Sequence, residues 1–389
     1  MSAPGRFAAA LSRQPDAGSA AAEAAHELAS VLGPAPSAVA VFATPDVMAD
    51  VEGLLDGIAA HLSPGSLVGC TGESVIARGK EIEEPPGLAL WGANLPSQTM
   101  TLDLSARPHG DGVEIVGLPE GLERSPHLIV LLADPFTFPL DAALSLVDER
   151  LPGTQVVGGL ASGGRGPGEH RMIINGQVRT DGAVALVLDA EAAVTVVSQG
   201  CRPVGQDMVI TAADGPVVEE LASKPALDRL RELLDGASDS ERDYLAGGLL
   251  AGLVIDENRP DYGVGDYLVR GVRGTDSERG ALLVGERVRV GQTMRFHVRD
   301  AESADLDLRR ALQRGGSELG AKPGGALLFS CNGRGTRMFD VVDHDASVVV
   351  DELGDIPTVG LFCNGEIGPV AGRNFLHGFT ATLALFPGE

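Results

Sequence analysis

The sequence predicts an α/β protein of two pseudo-repeated lobes, each a mixed, largely buried β-sheet covered by helices in a layered αββα-like arrangement. Three observations predict it. Apolar runs of strand length recur along the 389 residues. Pairs of these runs start about 30 residues apart with a helical pattern between them, the length of a parallel βαβ crossover. The same plan is read three times, at about residues 38–95, 127–189 and 325–387. Runs that are apolar without alternation mark strands buried on both faces. Glycine, 52 of the residues, punctuates them, at about twice its usual share of about 7%, so tight turns are frequent.

In chain order, residues 1–17 are small and polar and read as a frayed end, and the Ala-rich 18–32 reads as a helix. The first repeat opens with the strand SAVAVFA (37–43), after which Thr44 can cap a helix and Pro45 can sit in its first turn. Val47, Val51, Leu54, Leu55, Ile58 and Leu62 follow at helical spacing. SLVGC (66–70) and GLALWGA (87–93) complete that repeat as strands. The second runs HLIVLLADP, a helix around Leu140, Leu144 and Val147, TQVVGGLASGG and GAVALVLD. The third runs GALLFSCNGRG, a helix around Val348, Val349 and Leu353, PTVGLFCNGE and FTATLALF.

Between the second and third repeats the pattern changes. VTVVSQGCRPVG and QDMVITAADG predict a hairpin, and a helix is expected over about 216–235. Residues 244–256 fit strand and helix equally; DYLVRGV, ALLVGERVRVG and TMRFHVRD are strand-like, and a helix is expected over about 301–314. The resulting division is a tail and helix (1–36), an N-terminal domain (37–195) and a C-terminal domain (196–389).

The formal charge is −24. Phosphate backbones and anionic lipid would repel such a chain, which excludes general nucleic-acid binding and membrane-surface binding. No apolar run reaches about 18 residues and no basic-then-apolar leader opens the sequence, so a cytoplasmic protein without membrane insertion is expected. Cys70, Cys201, Cys331 and Cys363 are widely spaced with no CxxC pair. Neither a zinc ribbon nor a disulfide scaffold fits, and no metal or cofactor is expected.

Candidate chemistry gathers in glycine-rich loops after strand ends: Gly69–Glu73 with Cys70 and Glu73, Gly158–Gly164 with Ser162, Cys331-Asn332-Gly333-Arg334-Gly335, and Cys363-Asn364-Gly365-Glu366. In open α/β sheets ligands bind at the carboxyl ends of strands, and glycine there lets backbone approach a ligand. The bland alternative is that these glycines only make turns. A guanidinium at Arg334 could clamp a carboxylate or phosphate through two parallel hydrogen bonds, or form a structural salt bridge with Asp340, Asp343 or Asp345. Glu366 could receive an ammonium group, so the two together suit a zwitterion such as an amino acid. Asn332 and Asn364 fit turn positions as well as ligand contacts. His377 could act as base to Cys331 or Cys363, although cysteines are more often buried apolar residues. No Walker A, GxSxG or HExxH motif is present.

The runs SQGCRPVG (198–205), GALLFSCNGRG (325–335) and VGLFCNGEIGPVAGRNFLHGFTATLALF (359–386) resemble the C-terminal half of the FIST sensory domain. GSLVGCTGESVI, EEPPGLALW and VVGGLASGG resemble its N-terminal half, so the likeness spans about residues 37–386. It implies an intracellular small-ligand sensor, with amino acids as proposed ligands, often joined to signalling modules. Cys331, Arg334, Asn364, Glu366, His377 and Thr380 match the C-terminal motif. The residues outside the match are too few for an output module, so output through a separate signalling partner is expected. The reading is a binding protein rather than an enzyme, for a small carboxylate-bearing metabolite. Its expected ligand-binding residues are Cys70, Glu73, Ser162, Cys331, Asn332, Gly333, Arg334, Asn364, Gly365, Glu366, His377 and Thr380. The alternatives are a cysteine-dependent enzyme using Cys331 or Cys363 with His377, and a ligand-free protein–protein adaptor.

Overall fold

Each repeat begins with a lead strand that has no polar face, because both sides are covered. Ala38–Ala43 is AVAVFA and buried at every position; His127–Ala133 and Pro323–Cys331 are apolar along most of their length. The computed structural model describes residues 5–110, 112–120, 127–189, 193–238, 242, 244–245, 248–263 and 265–388. It is a mixed α/β structure, as the apolar runs predict, and groups into two compact units. The first comprises Met1–Val197, Leu308–Leu376 and Ala381–Glu389; the second comprises Ser198–Asp307 and His377–Thr380. Among the described residues no helix is long and apolar enough to cross a membrane.

In the first unit the three repeats share one topology. A lead strand pairs in parallel with a crossover strand: Ala38–Ala43 with Ser66–Thr71, His127–Ala133 with Gln155–Leu160, and Pro323–Cys331 with Thr358–Cys363. On its other side each lead strand pairs antiparallel with a closing strand, Leu88–Asn94, Ala183–Asp189 and Thr380–Pro387 respectively. Helices Val51–Ala59, Leu140–Arg150 and His344–Leu353 make the crossovers.

The repeats are also interlocked. Beyond each crossover strand lies a short hairpin that another repeat supplies. The first sheet ends in Met172–Ile174 and Gln177–Arg179, from the second repeat. The second sheet ends in Glu366–Val370 and Arg373–His377, from the third. The third ends in Val75–Ala77 and Lys80–Ile82, from the first. The exchange is cyclic. Inner faces of all three sheets meet in one core, where Phe7, Trp91 and Phe386 pack with ring centroids 5.2–5.7 Å apart.

Several local expectations are corrected. Residues 6–12 are not frayed: Arg6–Ser12 pairs antiparallel with Leu88–Asn94, burying Phe7, Ala8, Ala10 and Ser12. The helical pattern after Thr44 divides into Pro45–Met48 and Val51–Ala59, because Asp50 accepts the Gly53 N–H and caps a new helix. Thr44 stands at the N-cap of Pro45–Met48 with Pro45 in the first turn, as expected, but its hydroxyl makes no cap hydrogen bond and donates to Asp46 instead. The donated hairpins are too short to show periodicity in sequence.

The second unit is a barrel. Its strands run in the order Cys201–Asp214, Thr293–Arg299, Leu249–Val254, Tyr267–Asp276, Ala281–Val284 and Val217–Leu221, and the last pairs back with the first. Bulges interrupt the register within the first strand and between Val272 and Gly274, the bends that closure needs. The hairpin expected over 194–214 is instead the strand Val194–Gln199 followed by one long bulged strand. The helix expected over 216–235 starts only at Ala226, since Val217–Leu221 is a strand whose β-branched valines suit a pleated surface. Helix Ala226–Gly236 packs Leu227 and Leu230 onto the barrel core.

Candidate functional site

The carboxyl ends of the three crossover strands converge within the first unit. Thr71, Leu160 and Cys363 stand in register with the lead-strand ends Ala43, Ala133 and Cys331. Ser162, fully buried, joins the three repeats through one hydroxyl: it donates to the Phe362 carbonyl at 2.5 Å and accepts the Glu73 N–H at 2.7 Å. The backbone adds Ser162 N–H to Thr71 O (3.1 Å) and Leu160 N–H to Gly365 O (2.9 Å). Glycine is required at 159, where a Cβ would lie 2.2 Å from Cys363 Sγ.

Polar side chains close a ring around this junction. Asn332 Nδ2 donates to Asn364 Oδ1 at 2.9 Å, and Asn364 Nδ2 donates to Ala161 O at 3.2 Å. Arg337 donates to Asn332 O at 2.9 Å and pairs with Glu73, whose N–H returns to Ser162 beside Ala161. The ring thus carries residues from all three repeats, and Cys331 lies just behind it at 9% exposure.

The loop after Cys331 also carries a buried charge cluster. Arg334, 1% exposed, gives its two-donor edge to Asp345, with Nε to Oδ2 at 2.7 Å and Nη2 to Oδ1 at 2.8 Å. Asp345 also accepts from Ser330 Oγ at 2.7 Å and contacts His344 Nδ1 at 2.9 Å. Burial alone would raise the Asp345 pKa, but the Arg334 charge and these hydrogen bonds hold it well below the usual carboxylate range. Burial disfavours the Arg334 charge, yet Asp345, with help from Cys331 and Glu366, raises its pKa above the ordinary value. Of the two roles the sequence leaves open for Arg334, the structure shows the salt bridge. The first turn of helix His344–Leu353 brings Asp345 to the guanidinium. The bidentate edge therefore does not face a ligand. One donor remains: Nη1 is buried without a hydrogen-bond partner, and so is the Oδ1 of Asn332. Glu366, fully buried, begins the donated hairpin opposite Gly159.

The sequence reading missed Glu81, whose neighbours in KEIEE show no periodic pattern. It sits on the hairpin Lys80–Ile82 and accepts the Ala346 N–H at 2.9 Å, while its Oε2 is buried without a partner. Burial, reinforced by Asp345, pushes its pKa up to about 8. The folded protein therefore holds this proton where the unfolded chain, with a pKa of about 4.3, has lost it. The contribution is intact below about pH 4.3 and declines as pH rises toward 8. Glu81→Gln, which mimics the protonated form, is expected to raise stability at pH 8 by about 1 kcal/mol or more and to change little at pH 4. Urea unfolding at the two pH values checks this; equal effects at both would refute it.

Ten of the twelve expected site residues lie in the first unit: Cys70, Glu73, Ser162, Cys331, Asn332, Gly333, Arg334, Asn364, Gly365 and Glu366. His377 and Thr380 belong to the second, where they flank Phe379, a non-glycine residue held at φ +63° with its carbonyl accepting from Gly200 N–H at 2.9 Å. Burial raises the pKa of both Cys70 and Cys363, which works against a thiolate nucleophile at Cys363. Among the described residues no group of three or more His, Cys, Asp or Glu side chains could hold a metal ion.

Comparison with known proteins adds family context to this geometry. The model of the FIST N domain matches residues 37–224 and that of the FIST C domain matches residues 226–369. An uncharacterized protein of Mycobacterium tuberculosis strain H37Rv is 44% identical over 384 residues, covering 98% of this chain and 99% of its own length. An uncharacterized protein of Mycobacterium bovis is 44% identical over 387 residues, covering 98% of each chain.

Proposed function

The chain belongs to the FIST family, and on that premise we propose that it is a sensory protein that binds a small zwitterionic metabolite of the amino-acid class and signals through a separate partner. FIST domains are generally sensory domains. The observation that carries the ligand class is the buried Nη1 donor of Arg334, left without an acceptor in a cluster that also feels Cys331 and Glu366. A buried donor gains most from a charged acceptor such as a carboxylate. Arg334 is already neutralised by Asp345, and Glu366 contributes negative charge to the same cluster. A plain anion would meet that negative field unbalanced, whereas a ligand with its own ammonium group offsets it through Glu366 and the Asn332 carbonyl oxygen.

The test is thermal-shift and calorimetric titration with α-amino acids, the matching 2-hydroxy acids and the matching amines. An amino acid at a hundred times its Kd should stabilise the protein by about 2.7 kcal/mol, and the hydroxy acid and amine should shift it far less. Glu366→Gln is expected to weaken binding about ten- to a hundred-fold, with Asn364→Ala weaker in effect. No stabilisation by any zwitterion, or equal binding of the hydroxy acid, would overturn the reading.

A further inference from the structure

We propose that the arginine-bearing face of helix Ala301–Glu318 is a docking surface for an acidic segment of a partner protein. The helix carries three arginines, and they are treated differently. Arg309 turns toward helix His344–Leu353 and pairs with Asp351 at 3.2 Å and Glu352 at 3.0 Å. Arg310 and Arg314, one turn apart, are exposed, and neither forms an ion pair with any described residue. In a chain with 54 acidic residues and 30 basic ones, these two guanidiniums form a small positive patch on the helix. Glu318 lies four residues after Arg314, the spacing of a helical neighbour, yet makes no salt bridge with it.

The surface around them is shallow and open. Arg310, Gln313, Arg314, Ser317 and Glu318 line a depression of about 400 Å³. A second, of about 80 Å³, is lined by Thr195, Val196 and Val197 together with Arg314, Gly315 and Glu318. Arg314 borders both. The strand Val194–Gln199 ends its sheet, and a terminal strand offers backbone donors and acceptors to an extended chain. Guanidiniums beside such an edge suit carboxylates spaced along an extended segment.

Charge decides between a segment and a second copy. A copy of this chain brings −24 against −24, whereas a short acidic segment brings its charge only to the arginines. Beyond a Debye length of about 10 Å in 0.1 M salt the remaining repulsion is screened. The inference gives a place to the separate partner proposed above, but its test needs no metabolite, so the two readings can fail independently.

The test is fluorescence anisotropy of a labelled oligoglutamate peptide, with oligoglutamine as control, titrated with the full chain. The peptide should bind, the control should not, and binding should fade as salt rises. Arg310→Glu with Arg314→Glu should weaken it roughly tenfold or more, while the double lysine variant retains part of it. Both positions are exposed, so an unchanged melting temperature shows that the variants fold. No binding of oligoglutamate, or equal binding by the charge-reversed variant, overturns the proposal. A concentration-dependent dimer abolished by Arg314→Glu, without peptide binding, overturns it in favour of a second copy.

Discussion

Arg334→Ala is expected to destabilise the protein by about 3–5 kcal/mol, because it strands the fully buried Asp345 carboxylate without its counter-charge. Asp345 would keep only Ser330 and His344 as partners. The reciprocal Asp345→Ala strands the guanidinium and should cost a similar amount. Replacing both, with methionine at 334 and leucine at 345, should recover much of the loss, since an apolar pair of similar volume escapes the desolvation penalty. Urea denaturation of the three variants measures this. A double variant no more stable than the singles would show that the cost lies in packing. The pH dependence has a definite sign. Asp345 has a depressed pKa, so the pair contributes above the unfolded-state value of about 3.9 and is lost as pH falls below it. Arg334→Ala should therefore flatten the acid limb of the stability profile. It is also a poor probe of ligand binding, which is why Glu366→Gln serves that purpose.

Gly360→Ala is expected to cost about 4 kcal/mol or more, or to prevent folding. A Cβ there would lie 1.6 Å from the Leu328 carbonyl oxygen and 2.6 Å from its carbon, inside the backbone of the paired lead strand. No side chain can move to make room; the two parallel strands would have to separate and lose ladder hydrogen bonds. The other repeats have the same close approach, with Gly158 at 1.9 Å from Leu131 O and Gly69 at 2.4 Å from Val41 O. The control is Gly372→Ala, at φ +77° with nothing within 4 Å of the added carbon, which should cost only about 1 kcal/mol. A loss at 360 no larger than that at 372 would mean that the paired strands relieve the collision at little cost.

The three repeats were legible because a strand buried on both faces writes itself as an unbroken apolar run. Ala38–Ala43, His127–Ala133 and Thr358–Cys363 all carry that mark. The exchanged hairpins were not legible. Val75–Ala77 and Lys80–Ile82 are too short for a period, and the strand that Val75–Ala77 pairs with lies almost three hundred residues away in sequence. The apolar residues of Val217–Leu221 fit both periods, and only barrel closure selects the strand. At the junction, the glycine loops after strand ends carry the ten expected residues that lie in the first unit. The Arg334 partner was one of three named aspartates, and only the turn of helix His344–Leu353 picks Asp345. Glu81 was invisible, since its burial depends on a hairpin whose sheet belongs to another repeat.

The cyclic loan of hairpins has a consequence for how the first unit responds to load. Each third finishes its sheet with material from a neighbour, so no third can slacken without baring a seam in another. Strain entering any one third is therefore passed to both others through the strands it lends and borrows.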